Sequence, residues 1–311
     1  LALPGQTSWQ PQTRADAELR RLRQPLVVCK HPNPFNVSDE AMLPRYETLD
    51  LSVENHVATV ALNRPDKANS MNRARWNELQ ACFEYLDEEP SVRAVVLAGN
   101  GKHFCAGLDL AMFGDLTQEI ADPARRAEQL RKTILRLQGN LNAIENCRVP
   151  VLAAIHNTCI GGGVDMTCCA DMRYAPEDAF FSIREIDIGM TADVGTLQRL
   201  PRIVPDGVVR ELAYTGRNMD ADEACSVGFI NRVFEDRETL LREVTPIPHR
   251  IAEKSPLAVR GSKEMLRYSR DHSVAEGLYC IATWSDGMMS QLELQEGVLA
   301  QMEKRNAHYE D

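Results

Sequence analysis

What most constrains this chain is a repeated switch of hydrophobic period. Leu49, Leu51 and Val53 alternate with polar residues, and after a turn at Glu54-Asn55-His56 the alternation resumes at Ala58, Val60 and Leu62. That pattern is a hairpin with one buried face. Trp76, Leu79, Phe83 and Leu86 then recur at helical spacing, predicting an amphipathic helix capped near Asn69 or Ser70. Val92 to Ala98 reads as a buried strand closed by Gly99-Asn100-Gly101, and Leu130, Ile134, Leu137, Leu141 and Ile144 mark a second amphipathic helix. A strand from Val151 to Ile155, a glycine-rich turn, a short helix and a strand around Met172 to Tyr174 follow. Strands alternating with helices predict an α/β core whose sheets are covered by helices. From about Ile251 the pattern is helical only, with an apolar stripe of Trp284, Met288, Leu292, Leu299 and Met302 that needs a body or a neighbour to dock on. The expected organisation is a loose, proline-rich extension over 1–45, a core over 46–250 and a helical region over 251–311.

Composition bounds the function. The chain has 311 residues, 44% apolar and 26% charged, with a net charge of −10. Such an acidic balance argues against nucleic acid as a partner, since that affinity comes from Lys and Arg neutralising phosphates. A few local Lys and Arg could still hold a small anionic ligand. Nine cysteines, scattered without metal-ligand spacing, read as free thiols in a reducing compartment. No apolar run approaches the length of a membrane span. Arg14, Arg20, Arg21 and Arg23 suit an organelle-targeting leader, but Asp16 and Glu18 dilute that signal, and the terminal His308-Tyr309-Glu310-Asp311 is not a peroxisomal address of the Ser-Lys-Leu kind. The organelle stays open at this level.

Three segments could carry chemistry. Gly161-Gly162-Gly163-Val164-Asp165 joins a strand to a helix, where free N–H groups could face a ligand; the plainer reading is a tight turn with an acidic first-turn residue. It lacks the Lys-Ser/Thr pair of a phosphate loop. Phe104-Cys105-Ala106-Gly107-Leu108-Asp109-Leu110 could supply another backbone donor, although loops of this kind are more often structural, and Cys105 reads as a packing thiol. In Phe181-Ser182-Ile183-Arg184-Glu185, an extended segment with Phe181 and Ile183 inward would place Glu185 on an apolar face with a raised pKa, suited to acid–base work. Alternatively Glu185 pairs with Arg184 or another base at the surface. Asp193, taken alone, reads as the cap of the next helix, and His156 as a satisfied core histidine.

Taken together these segments resemble the enoyl-CoA hydratase/isomerase (crotonase) superfamily. The resemblance is carried in order by Leu62-Asn63-Arg64-Pro65, Ala106-Gly107-Leu108-Asp109-Leu110, Val149-Pro150-Val151-Leu152-Ala153-Ala154-Ile155, Gly161-Gly162-Gly163, Asp171-Met172-Arg173-Tyr174 and Thr196-Leu197-Gln198-Arg199-Leu200-Pro201, and covers about residues 47 to 305. Within it, Asp165, Glu185 and Asp193 match the three acidic positions of dienoyl-CoA isomerases, as do Ala192-Asp193-Val194-Gly195-Thr196 and the stretch from Tyr268 to Glu276. Ordinary hydratases carry Glu at the position of Asp165 and typically Gly at that of Asp193.

The resemblance implies an α/β spiral of ββα turns with a C-terminal helical trimerisation region, assembled as a homotrimer or a dimer of trimers. It implies isomerisation of 3,5-dienoyl-CoA to 2,4-dienoyl-CoA in β-oxidation, in a mitochondrion or peroxisome, with no cofactor or metal beyond the coenzyme A of the substrate. The amides of Leu108 and Gly162 would form an oxyanion hole, and Ala106, Gly107, Leu108, Asp109, Leu110 and Gly162 would bind the substrate. Asp193 is expected at C2, Glu185 at C6, and Asp165 beside Glu185. Lys67 or Lys102 would meet the anionic coenzyme A, or be solvated surface lysines. The rival readings are a 2-enoyl-CoA hydratase, a monoene Δ3,Δ2 isomerase, and a non-catalytic scaffold or RNA binder.

Overall fold

The computed structural model describes residues 43–112 and 120–311. The expected extension over 1–45, with the arginines of the possible leader, lies almost wholly outside the described residues, as does part of the loop after Met112. Strands β1 (Leu49–Glu54) and β2 (Val57–Leu62) form the hairpin, with Leu49 opposite Leu62 and Leu51 opposite Val60. Its two-residue turn puts Asn55 and His56 at φ +48 and +66, the mirror-image turn that follows strand twist.

Helix α1 (Arg73–Glu88) crosses from β2 to the parallel strand β3 (Ala94–Gly99) and buries Trp76, Leu79, Phe83 and Leu86. Its cap is Asn72, whose side chain accepts the Arg75 N–H, rather than Asn69 or Ser70. Asn69 is buried and has other work: it accepts the Arg64 N–H and donates to the carbonyls of Asn100 and His103, each at 2.8 Å. After α2 (Pro123–Asn146) come β4 (Val151–Ala154), β5 (Thr158–Ile160), α3 (Gly162–Cys168), β6 (Met172–Pro176) and β7 (Phe180–Ser182). The described part of α2 is buried only from Leu137 onward, so Leu130, expected on its inner stripe, is 42% exposed.

Next are α4 (Thr196–Arg199), α5 (Asp206–Thr215), β8 (Met219–Asp220), α6 (Ala221–Ser226), β9 (Arg232–Phe234), α7 (Arg237–Val244) and α8 (Pro246–Ala252). The strands form a six-stranded sheet, β1-β2-β3-β4-β6-β9, and a three-stranded one, β5-β7-β8. Successive passes of the chain place one strand in each: β4 then β5, β6 then β7. A bridge between Cys105 and Cys159 carries the small sheet back toward the previous pass. This is the α/β spiral that the motifs imply, and its main core lies between the sheets and the helices.

The remaining elements are α9 (Pro256–Ser269), α10 (Val274–Met288) and α11 (Gln291–Glu303). Trp284 lies across Gly261, where a Cβ would come within 2.2 Å of the indole, so α10 seats on α9 at a position with no side chain. The outer face of α10 and α11 stays apolar and uncovered, with Val274, Leu278 and Tyr279 each more than 60% exposed. The described cysteines are free thiols, six of them buried. No described helix is long and apolar enough to cross a membrane.

Candidate active site

Two loops from successive passes of the spiral lie against each other. Residues 105–109 are held by residues 64–71: Met71 N–H donates to Gly107 O at 2.8 Å, Asp109 N–H to Met71 O at 3.1 Å, and Ala106 N–H to Ala68 O at 3.0 Å. Because Gly107 C=O and Asp109 N–H both face Met71, the intervening Leu108 N–H is directed to the opposite side, as in any extended strand. Gly107, at φ +90, sits so tightly on the neighbouring loop that a Cβ would lie 3.0 Å from Ile160 O. Gly162 opens α3 and therefore has no intrahelical acceptor for its own N–H. Two unspent main-chain donors thus stand on adjacent loops.

Three carboxyl groups gather near this pair. Asp165, on the first turn of α3, is fully buried. One of its oxygens accepts the Thr196 N–H at 2.6 Å, and the other has no hydrogen-bond partner. Asp165 therefore caps α4 across 31 residues of sequence, and Asp193, read as a candidate cap, is left free for other work. Glu185 does not continue β7 as an extended residue; it starts a 3-10 turn, Glu185–Ile188. That turn folds its carboxyl over Gly161, whose Cβ, if it had one, would lie 2.9 Å from Oε1. Gly161 has φ +51, so both its backbone and its space demand glycine. Glu185 Oε2 is buried without a partner, and Arg184 bonds Ser182 and Asn218 instead, so the surface-pair reading does not hold.

Burial is the main cause of the titration behaviour. It pushes Asp165 up to about 6, against the Thr196 hydrogen bond, with the Asp193 charge adding to the rise. It pushes Glu185 up to about 7, helped by the charges of Asp165 and then Asp193. Half-buried Asp193 is raised as well. At neutral pH the cluster can therefore hold protonated and ionised carboxyls side by side, as acid–base transfer requires.

The other positions sort themselves physically. The Asp109 carboxylate is bound by both terminal nitrogens of Arg64 at 3.0 Å, and the Ala111 amide and Arg64 hold its pKa low. Its side chain thus braces the loop. Leu110 is 70% exposed beside the residues left undescribed. Cys105 is buried and pushed up to about 11, a packing thiol. His156 is driven down to about 4 by burial and sits on Gly101 O, a neutral core residue. Lys67 and Lys102 are exposed. Sequence reasoning overlooked Gln138, whose Nε2 donates to Asp193 O at 2.6 Å; on a helix of mixed polarity nothing distinguishes one glutamine. Among the described residues no three His, Cys, Asp or Glu side chains are grouped to hold a metal.

A family model described as enoyl-CoA hydratase/isomerase matches residues 52–311. The chain belongs to the enoyl-CoA hydratase/isomerase family. A mitochondrial Δ(3,5)-Δ(2,4)-dienoyl-CoA isomerase of Rattus norvegicus is 46% identical, over 94% of this chain and 89% of that protein. A peroxisomal protein of the same description from Arabidopsis thaliana is 42% identical, over 85% of this chain and 97% of its own. The crystal structure of an enoyl-CoA hydratase from Bacillus anthracis superposes with a TM-score of 0.78 at 30% identity, covering 85% of this chain and 99% of that one. Family membership accounts for the spiral. The acidic trio is a further feature that the family frame alone does not require.

Proposed function

We propose that this protein isomerises 3,5-dienoyl-CoA to 2,4-dienoyl-CoA in the breakdown of unsaturated fatty acyl chains. The reading is supported by Asp165, Glu185 and Asp193, which come from three separate stretches and act on one another electrostatically, with the Glu185 carboxyl against Gly161 beside the first turn of α3. The thioester oxygen accepts hydrogen bonds from the Leu108 and Gly162 N–H groups, which stabilise the charge that develops there by about 3 kcal/mol each. Asp193, ionised, takes a proton from C2. The electron pair left by that C–H bond moves through the conjugated chain, the C3–C4 and C5–C6 double bonds become C2–C3 and C4–C5, and the pair emerges at C6. Glu185, kept protonated by its burial, delivers a proton to C6. Asp165 stays bound to Thr196 and its charge favours the protonated form of Glu185. No step calls for a cofactor; coenzyme A arrives as part of the substrate, with Lys67 beside the Leu108 loop as a candidate for its phosphates.

A hydratase would aim two carboxylates at one water near C2 and C3. With one Asp165 oxygen committed to a backbone amide, that arrangement is less well served. The net charge of −10 speaks against an RNA-binding role. The uncovered apolar face of α10 and α11 suits a homotrimer or a dimer of trimers, and the names of the relatives suit a mitochondrial or peroxisomal location.

Purified protein given a 3,5-dienoyl-CoA should generate the absorbance of the conjugated 2,4-dienoyl thioester. Asp193→Asn and Glu185→Gln should each lower that rate by about a thousandfold while acyl-CoA binding persists. Rapid hydration of a 2-enoyl-CoA without any diene shift would overturn the reading.

A further inference from the structure

The loop that carries Asp193 is pinned at three points, and only one of them lies among the acidic trio. Thr196 N–H is held by Asp165. Asp193 C=O is held by Gln138 Nε2 at 2.6 Å. Gly195, at φ +139, lies against Arg199, whose terminal nitrogen would be 2.1 Å from a Cβ at that position. Arg199 is itself fixed by Asn142 Oδ1 at 2.7 Å and by Glu145 Oε2 at 2.7 and 3.0 Å. Gln138, Asn142 and Glu145 follow one another at i, i+4 and i+7 on α2, so one helix face supplies two of the three pins. The same residues, with Val194 and Gly195, line a cavity of about 360 Å³. Core packing anchors Ala192 and Val194 on either side of Asp193, and the polar contacts hold the Asp193 carbonyl and Gly195.

We propose that Gln138 is a positioning residue: its grip on the Asp193 carbonyl, with Arg199 backing Gly195, sets the angle at which the Asp193 carboxylate meets the substrate's C2–H bond. The proposal rests on Asp193 being the base at C2. A displacement of about 1 Å at such a group can cost on the order of a hundredfold in rate.

The test reads proton removal separately from diene formation. In D2O, a 3-enoyl-CoA bound to the wild-type protein loses a C2 proton to the Asp193 carboxylate. The electron pair resides on the thioester oxygen, and a deuteron returns to C2 from the exchanged carboxyl group. Deuterium uptake into the substrate is followed by mass spectrometry, alongside diene formation from a 3,5-dienoyl-CoA. Gln138→Leu should slow uptake by about 10- to 100-fold at saturating substrate, with KM within about threefold of wild type and an unchanged melting midpoint. Gln138→Glu regains a donor only when protonated, so its rate relative to wild type should climb as the pH is lowered from 8 to 6. Uptake by Gln138→Leu within twofold of wild type, or a pH-independent ratio for Gln138→Glu, would overturn the proposal. Wild-type protein that exchanges C2 protons yet forms no diene would sink the isomerase reading alone, with the positioning role still scored by exchange; wild type that exchanges nothing overturns both.

Discussion

An ionised carboxylate loses hydration when buried, and unless hydrogen bonds replace it the group keeps its proton to a higher pH. Glu185 Oε2 and Asp165 Oδ2 are both buried without partners, which ties the chemistry of the site to stability. Glu185 rises from 4.5 to about 7 on folding, so its favourable contribution is complete below pH 4.5 and is lost as the pH climbs through 7. Glu185→Gln should therefore melt higher than wild type at pH 8, with the difference vanishing below pH 4.5, as a pair of thermal scans would reveal. Activity should decline over the same upper range, because the proposed mechanism needs Glu185 protonated to serve C6: a pH–rate profile for diene formation should fall through about pH 7. Gly161→Ala presses a methyl group onto Glu185 Oε1 and strains a left-handed backbone; a loss of at least tenfold in kcat, with protein still folded by circular dichroism, is expected. The three acidic residues were legible in the sequence as a set only through the resemblance to dienoyl-CoA isomerases. Taken alone, each had a plain structural reading, and for Asp193 that reading misassigned a role held by Asp165, which caps α4 from 31 residues away. Contacts of that range leave no local periodicity behind.

Between elements, the amide-bearing loop owes its shape to the stretch from Arg64 to Met71. Arg64 grips Asp109, Ala68 and Met71 bond the loop's backbone, and buried Asn69 ties the stretch to the turn after β3. Arg64→Met would leave the Asp109 carboxylate without its cation and loosen the Leu108 amide. We expect kcat to fall about tenfold and stability by about 1–3 kcal/mol, measurable by steady-state kinetics and urea unfolding. The long amphipathic helices and strands β1, β2, β3, β4 and β6 of the large sheet were readable from their apolar residues, whereas three-residue β9 in the same sheet was not. The small sheet was not: β5 and β7 have three residues each and β8 two, too short for alternation to register. Asn69 misled the placement of the first helix start for a related reason, since a buried asparagine bridging two loops looks in sequence like any N-cap.

At the scale of the molecule, the exposed apolar face of α10 and α11 is where the proposed homo-oligomer predicts that copies of the chain meet. Leu278→Glu combined with Tyr279→Asp should shift the sedimentation coefficient toward that of a single chain, with the isolated chain retaining its helical circular dichroism; unchanged sedimentation would place the contact elsewhere. The winding of the spiral also separates two kinds of function. Leu108 and Gly162 contribute main-chain groups that any sequence adopting these loops would present, whatever side chains it carries. The acidic groups occupy the first turn of α3 and the irregular stretch between β7 and α4, where substitution leaves both sheets intact. On the proposed mechanism, redirecting where a proton is delivered along a bound acyl chain should require rewriting only a dozen or so positions around 185–196, with the two loops that present the Leu108 and Gly162 amides inherited unchanged.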